Sequence, residues 1–152
     1  MSRVAIFPGS FDPFTLGHED VVRRGLKVFD KVVIAIGHNT NKNRYFPLEE
    51  MDRKIKNLFV AEPRVSVEIF YGLTGQFAEK IDAGFILRGL RNTTDFEYEN
   101  TISQANHHIN TNLETVFLIT SPALSAINSS IVRELHKFGG NVNQLLPYDL
   151  DV

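Results

Sequence analysis

The segment with the clearest chemical potential lies near the start of the chain and reads GSFDPFTLGH over residues 9–18. It follows an apolar run and precedes an amphipathic stretch, so its end should open a helix whose free N–H groups and dipole favour an anion. The glycine and lysine spacings of a dinucleotide loop or a P-loop are absent. We expect Thr15 to cap the helix, Gly17 to let a ligand approach the backbone, and His18 to offer both ring nitrogens to phosphate oxygens. Taken alone, His18 is as readily a surface helix residue, and Ser10 and Thr15 are more often turn and cap residues.

A second candidate segment places two arginines after the apolar run Phe85-Ile86-Leu87. Arg88 and Arg91, separated by Gly89 and Leu90, carry planar guanidinium groups that suit phosphate through paired, charge-assisted hydrogen bonds. The alternative is that both arginines pair with nearby carboxylates at positions 95, 97 and 99. We favour phosphate binding because the pair follows a strand that should end at the ligand-binding edge of a sheet.

A third candidate segment leads into the last main helix. We expect this helix to begin near Asn128, and a helix N-terminus is a natural place for the phosphates of a nucleotide. Simple capping is as good an explanation for the two serines if the segment stands alone. The segment comprises Leu124, Ser125, Ala126, Ile127, Asn128, Ser129 and Ser130.

Two isolated residues complete the candidate set. Lys42 lies in a polar stretch, where a lysine is usually solvated but can also act as a flexible point charge between two phosphates. Thr74 follows a strand-like run. The adjacent His107 and His108 point apart on a helix and are better explained as helix surface than as a metal site.

The elements that must position these residues alternate regularly between strand and helix. Apolar or alternating runs predict strands at 4–7, 31–37, 65–71, 85–87 and 115–119. Helical patterns fall at 18–29, from 47 to about 59, and at 75–82, 95–109 and 128–138. This order predicts one Rossmann-like α/β domain over 1–152, with a five-stranded parallel sheet flanked by helices. Ligands should bind where the carboxyl ends of the strands meet.

Composition narrows the classes of function. The 152 residues carry a formal net charge of −2, which argues against a general nucleic-acid binder. There is no cysteine, which excludes a disulfide framework and fits a reducing compartment. No stretch is long and apolar enough for a membrane span or a signal peptide. We therefore predict a cytoplasmic protein with neither membrane nor nucleic-acid partner.

The first loop and the arginine segment carry a family resemblance. The box Thr15-Leu16-Gly17-His18 resembles the T/H-x-G-H motif of the nucleotidylyltransferases. The longer strings PGSFDP (8–13), RGLR (88–91) and DFEYE (95–99) resemble the bacterial phosphopantetheine adenylyltransferases. The chain departs from that family at four positions. It has Phe7 and Ser10 where the family more often has tyrosine and threonine, and Leu124 and Asn128 where the family more often has an aromatic residue and serine.

The resemblance implies transfer of the adenylyl group of ATP to 4′-phosphopantetheine, giving dephospho-coenzyme A and pyrophosphate. It implies catalytic roles for His18, Lys42 and Arg91, with His18 acting on the α-phosphate in the transition state. Acceptor binding would involve Ser10, Lys42, Thr74 and Arg88. The ATP site would comprise Ser10, Phe11, Gly17, His18, Gly89, Leu90, Arg91, Glu99 and the run Leu124, Ser125, Ala126, Ile127, Asn128, Ser129 and Ser130.

The same resemblance implies Mg²⁺ carried with ATP, a homo-hexamer, and coenzyme A as a candidate feedback inhibitor. Two other functions stay open on the sequence alone. One is another small-molecule nucleotidylyltransferase, against which the RGLR and DFEYE strings weigh. The other is a non-catalytic nucleotide-binding regulator, which would not need a transition-state group such as His18.

Overall fold

The computed structural model describes residues 1–150 and forms one sheet with helices around it. The helices are α1 (Leu16–Gly25), α2 (Leu48–Leu58), α3 (Thr74–Lys80), α4 (Thr93–Ile109) and α5 (Ser129–Lys137). The strands are β1 (Val4–Gly9), β2 (Lys31–Gly37), β3 (Val65–Phe70), β4 (Phe85–Leu90) and β5 (Glu114–Ile119). Short 3₁₀ turns follow at Pro122–Leu124 and Asn143–Leu145.

All five strands pair in parallel, in the order β3-β2-β1-β4-β5. The chain builds outward from β1 to β3 and then crosses to the other side of β1 to begin β4. The strand order therefore reverses between β1 and β4, and the carboxyl ends of these two strands flank a crevice of the kind that binds ligands in open α/β sheets. The predicted five-stranded parallel sheet of a Rossmann-like fold is confirmed.

The central strands are apolar on both faces, which is why helices cover the sheet on both sides. In β1, Ala5 and Phe7 belong to one buried cluster, which also holds Val22 of α1 and Met51 of α2. Ile6 points to the other face and packs in a second cluster with Phe77 of α3. This two-sided packing holds the strand ends, and the loops that follow them, in place.

Several predicted boundaries differ from the observed ones by a few residues, and three of these differences have a clear local cause. The first helix ends at Gly25 rather than Phe29, because the chain there leaves the helix in a turn before β2. The fourth helix begins at Thr93, because Asn92 caps it by accepting the N–H of Asp95 at 2.9 Å. Strand β4 does not end at Leu87, since its pairing with β5 continues to Leu90.

The predicted glycine stop of the last main helix is confirmed. Gly139, just after α5, has φ of +82°, the left-handed conformation expected of a glycine that ends a helix. Within residues 1–150, no helix is both long enough and apolar enough to cross a membrane.

Candidate active site

A cavity of about 560 Å³ opens at the carboxyl ends of β1 and β4, at the point where strand order reverses. Most of the sequence-predicted site residues meet there although they come from three distant segments. They are Ser10, Phe11, Gly17, His18, Arg88, Gly89, Arg91, Glu99, Ile127, Asn128, Ser129 and Ser130. The topology therefore assembles one site from the first loop, the end of β4 and the start of α5.

Two of the predicted acceptor residues line neighbouring cavities instead. Lys42 lines a cavity of about 550 Å³ that shares Ser10 with the first one. Thr74 lines a smaller cavity of about 210 Å³, which shares Gly9, Arg88 and Glu99 with the first one and is partly apolar. The main cavity thus shares Gly9, Ser10, Arg88 and Glu99 with its two neighbours.

Four predicted ATP residues do not line the main cavity. Leu90 ends β4, and Leu124 ends the 3₁₀ turn that precedes α5. Ser125 and Ala126 are exposed beside it. Their contacts with ATP stay predictions.

His18 is held at the first turn of α1 by the residue that caps the helix. The Thr15 N–H donates to His18 Nδ1 at 2.9 Å, and Thr15 Oγ1 accepts the His18 N–H at 3.4 Å. Because Nδ1 is an acceptor, the proton of the neutral ring lies on Nε2. The expectation that both ring nitrogens serve a ligand is therefore wrong: the helix cap occupies Nδ1 and leaves Nε2–H as the donor.

The charge state of His18 follows from its surroundings. Burial lowers the pKa of His18 to about 3, with the positive charges of Arg88 and Arg91 acting in the same direction. Three aromatic rings surround the imidazole, with centroid distances of 6.0 Å to Phe7, 5.1 Å to Phe11 and 5.3 Å to Phe14. The ring is thus neutral at physiological pH and fixed in orientation.

Arg88 lies inside β4 and is anchored from two sides. Its guanidinium pairs with Glu99 of α4, with Nε to Oε2 at 2.9 Å and Nη2 to Oε1 at 2.6 Å, and its Nη1 donates to the carbonyl of Pro8. The Glu99 side chain is only 8% exposed, whereas that of Arg88 is 28% exposed. The alternative that Arg88 pairs with a nearby carboxylate is therefore realised, with Glu99 as the partner, and this pairing orients Arg88 at the cavity wall.

Arg91 forms a similar pair at the mouth of the site. Its Nε and Nη2 donate to the two oxygens of Asp95, at 2.9 and 3.1 Å. Burial opposes ionisation of Asp95, but the hydrogen bonds from Arg91 outweigh it, so the pKa of Asp95 lies below its ordinary value. A phosphate that binds Arg91 must share it with Asp95 or displace that carboxylate.

The N-terminus of α5 forms the opposite wall. Asn128 is the helix cap, since its Oδ1 accepts the N–H of Ile131 at 2.9 Å. Capping by Asn128 leaves the first N–H groups of the helix, those of Ser129 and Ser130, available for an anion. The hydroxyl of Ser129, by contrast, donates to the carbonyl of Pro13 at 2.8 Å and so holds the first loop.

Some residues of the cavity wall were not assigned from the sequence. Asp95 and Thr120 follow the ends of β4 and β5, so the strand-end rule itself could have found them. Gly9 lies where an added Cβ would come within 3.0 Å of the Phe11 ring, which only the packed loop reveals. Among residues 1–150, no three His, Cys, Asp or Glu side chains form a cluster that could hold a metal ion.

Comparison with known proteins identifies a family for the chain. Residues 6–135 match the model of the cytidylyltransferase-like family. The chain is 58% identical to a phosphopantetheine adenylyltransferase of Cytophaga hutchinsonii, over 99% of this chain and 100% of the relative. It is 45% identical to the phosphopantetheine adenylyltransferase of Bacteroides thetaiotaomicron, over 99% of each chain.

A solved structure supports the fold. A bifunctional NMN adenylyltransferase/ADP ribose pyrophosphatase of Francisella tularensis superposes with a TM-score of 0.70 at 16% identity, covering 99% of this chain and 46% of that one. The chain thus spans about half the length of that structure, and at this identity the likeness concerns the fold alone. On the strength of the family match and of the full-length relatives, the chain belongs to the cytidylyltransferase-like family and, within it, to the phosphopantetheine adenylyltransferases.

Proposed function

We propose that this chain transfers the adenylyl group of ATP to 4′-phosphopantetheine, giving dephospho-coenzyme A and pyrophosphate. The observation that carries the proposal is the convergence of His18, Arg88, Arg91 and the α5 N-terminus on one cavity, in a chain with full-length relatives of that name. The match spans 99% of this chain and 99–100% of these relatives, which supports proposing the complete reaction rather than nucleotide binding alone.

The reaction needs alignment and charge neutralisation rather than an activated side-chain nucleophile. An oxygen of the acceptor phosphate attacks the α-phosphorus of ATP, the bond from that phosphorus to the bridging oxygen breaks, and pyrophosphate leaves with the electron pair. Since the acceptor phosphate is already ionised at neutral pH, no general base has to remove a proton. Catalysis then depends on in-line positioning and on donors placed where negative charge develops.

The protein groups divide this work by their location. The neutral Nε2–H of His18 is suited to donate to a non-bridging oxygen of the α-phosphate as charge builds there. Arg88 and Lys42 border the two spaces next to the main cavity, and we assign them to the acceptor phosphate. We assign Arg91 and the free N–H groups of Ser129 and Ser130 to the β- and γ-phosphates of ATP.

We also propose that Mg²⁺ enters with ATP. The two carboxylates of the cavity, Asp95 and Glu99, are both bound to arginines, so a magnesium ion would be held mainly by phosphate oxygens and water. Its contribution would be to neutralise charge on the phosphates.

The assembly, regulation and location also remain proposals, drawn from the family resemblance. The exposed apolar side chains of Ile131, Leu135 and Phe138, on and just after α5, offer a surface that another copy of the chain could cover. The number of copies, six in the family, is tested by sedimentation. Inhibition by coenzyme A is tested by adding it to the forward assay. Cytoplasmic location is tested by cell fractionation.

A pyrophosphate-release assay with a panel of acceptors tests the proposed function. We expect turnover with ATP and 4′-phosphopantetheine, and none with pantetheine, nicotinamide mononucleotide or glycerol phosphate. Turnover of pantetheine at a comparable rate would remove the acceptor-phosphate role from Arg88 and Lys42. Equal use of GTP would show that the segment around Leu124 and Ile127 does not select adenine.

A further inference from the structure

The first loop is held along one edge by side chains from elsewhere in the chain. Five successive main-chain carbonyls, those of residues 10–14, each accept a hydrogen bond from a side chain of another element. Arg44 donates to Ser10 at 2.5 Å and Phe11 at 3.0 Å, Arg133 to Asp12 at 2.7 Å, Ser129 to Pro13 at 2.8 Å, and Tyr148 to Phe14 at 2.6 Å. Arg44 is the only one of these donors, within residues 1–150, that holds two consecutive carbonyls.

The residue between the two peptides that Arg44 holds is conformationally strained. Phe11 has φ of +47°, in the left-handed region that bulky side chains rarely adopt. Such a residue keeps its conformation only when the surrounding structure fixes it from several sides. Arg44 binds the carbonyl of the peptide before Phe11 and that of the peptide after it, so one guanidinium controls both of the flanking planes.

The hydrogen bond from Arg44 to the Ser10 carbonyl also sets the direction of the Phe11 N–H. In a trans peptide the C=O and the N–H point in opposite directions, so a Ser10 carbonyl held by Arg44 directs the Phe11 N–H to the other side. The Phe11 N–H donates no hydrogen bond to any residue of the described chain, 1–150, and Ser10 and Phe11 line the main cavity. A phosphate oxygen there would find this N–H already oriented.

The side chain of Phe11 extends the same control to His18. The two rings meet edge to face, with centroids 5.1 Å apart, and the Phe11 ring also packs against Phe7 and Phe14. A change in the backbone of Phe11 would therefore release one side of the imidazole.

Arg44 borders the same cavity as Lys42, but its guanidinium is committed to main-chain carbonyls rather than to a substrate. Its side chain is 13% exposed, and its third nitrogen, Nε, donates to the Phe46 carbonyl at 3.1 Å, so all three nitrogens are engaged with main chain. It lies two residues after Lys42. The same segment is bound to the first loop by Asp12, whose carboxylate accepts the N–H groups of Tyr45 at 2.9 Å and Phe46 at 2.8 Å.

We propose that Arg44 is a positioning residue for nucleotide binding: it holds the two peptides around Phe11 so that the Phe11 N–H faces the nucleotide phosphates and the Phe11 ring supports His18. The inference rests on the proposed function for the identity of the nucleotide. It assigns to Arg44 no contact with either substrate.

The test compares Arg44→Met and Arg44→Lys with a matched control, Arg64→Met. Arg64 also donates to a main-chain carbonyl, that of Leu26 at 3.3 Å, and pairs with Glu62, but it precedes β3 at the opposite edge of the sheet. We expect Arg44→Met to raise the Kd for ATP, measured by calorimetry without acceptor, about tenfold, which is about 1.4 kcal/mol. The KM for ATP should rise with it. Arg44→Lys keeps the positive charge but not the planar group with several donors, so its Kd for ATP should lie between those of the wild type and Arg44→Met. Arg64→Met should have the Kd of the wild type.

Two further readouts separate positioning from a purely structural role. In folded Arg44→Met, the backbone amide NMR resonance of Phe11 should shift, because the peptide before it is no longer held, while the resonances of β1 stay as in the wild type. If Arg44→Met binds ATP with wild-type Kd, or lowers only kcat in proportion to a lost folded fraction, the proposal is overturned. If the wild type fails to adenylylate 4′-phosphopantetheine, the proposed function fails instead, and the amide resonance of Phe11 still decides the role of Arg44.

Discussion

His18 makes two contacts that can be separated by substitution. Its Nδ1 accepts the Thr15 N–H at 2.9 Å and completes the cap of α1, while Nε2–H is the donor left for the α-phosphate. In His18→Asn the side-chain oxygen can take the place of Nδ1, but nothing reaches as far as Nε2. In His18→Gln the amide nitrogen reaches the Nε2 position, but the Thr15 N–H loses its partner. Both variants lose the same ring contacts, so comparing them isolates the two polar contacts.

The magnitudes follow from these geometries. Loss of one donor to a developing oxyanion costs about 10²–10³ in kcat, so His18→Asn should fall by that factor. ATP binding should change far less, because the donor acts mainly in the transition state. His18→Gln should retain more of kcat, but it should be less stable than His18→Asn by about 1 kcal/mol, the usual value of a helix cap.

Two measurements decide the outcome. Steady-state kinetics with calorimetry of ATP binding rank the variants in kcat and in Kd, and urea unfolding ranks them in stability. We expect opposite rankings: the glutamine variant faster, the asparagine variant more stable. If His18→Asn turns over within tenfold of the wild type, or if it binds ATP poorly yet turns over normally at saturation, His18 does not act on the transition state as argued.

Three further predictions concern acid stability, the buried ion pair and the helix cap. Folding lowers the pKa of His18 from 6.5 to about 3, so below pH 6.5 the folded state binds fewer protons than the unfolded state. The stability present above pH 6.5 should therefore be lost as the pH falls toward 3, by at most about 1.4 kcal/mol per pH unit. In urea unfolding between about pH 7 and pH 4, His18→Asn should lose less stability than the wild type. Glu99→Gln leaves the partly buried Arg88 without its countercharge and should lower the free energy of unfolding by about 2–3 kcal/mol, somewhat less than for a fully buried pair. Glu62→Gln breaks an exposed pair and should leave the free energy of unfolding nearly unchanged in the same assay. Asn128→Ser should leave the KM for ATP nearly unchanged, because asparagine and serine cap a helix equally well. Asn128→Ala should destabilise the protein by about 1 kcal/mol and raise the KM for ATP. An unchanged KM in the alanine variant would show that the cap does not contribute to nucleotide binding.

Local sequence patterns determined much of the fold and part of the site. The apolar runs of the strands and the helical periodicity each depend on neighbours within a few residues, so the alternation of elements and the α/β class could be derived from them. The caps at Thr15 and Gly139 are also local, since a cap bonds only three or four residues along the chain. The strand-end rule then placed the first loop and the arginine segment at one edge of the sheet before any contact was known.

Only the tertiary structure decided which of these residues meet, and in what state. The order β3-β2-β1-β4-β5 brings Arg88 to Pro8 near the end of β1, 80 positions earlier in the chain, because β4 pairs with β1 rather than with β3. The acceptor role of His18 Nδ1 and the lowered pKa of the ring arise from burial and nearby charge, which a one-dimensional pattern does not record. Arg44 belongs to the same polar stretch as Lys42, and no local sequence pattern distinguishes it. It became a positioning residue once folding brought its guanidinium against carbonyls 33 and 34 positions away, since hydrogen bonds of such separation exist only after the elements that carry them have packed.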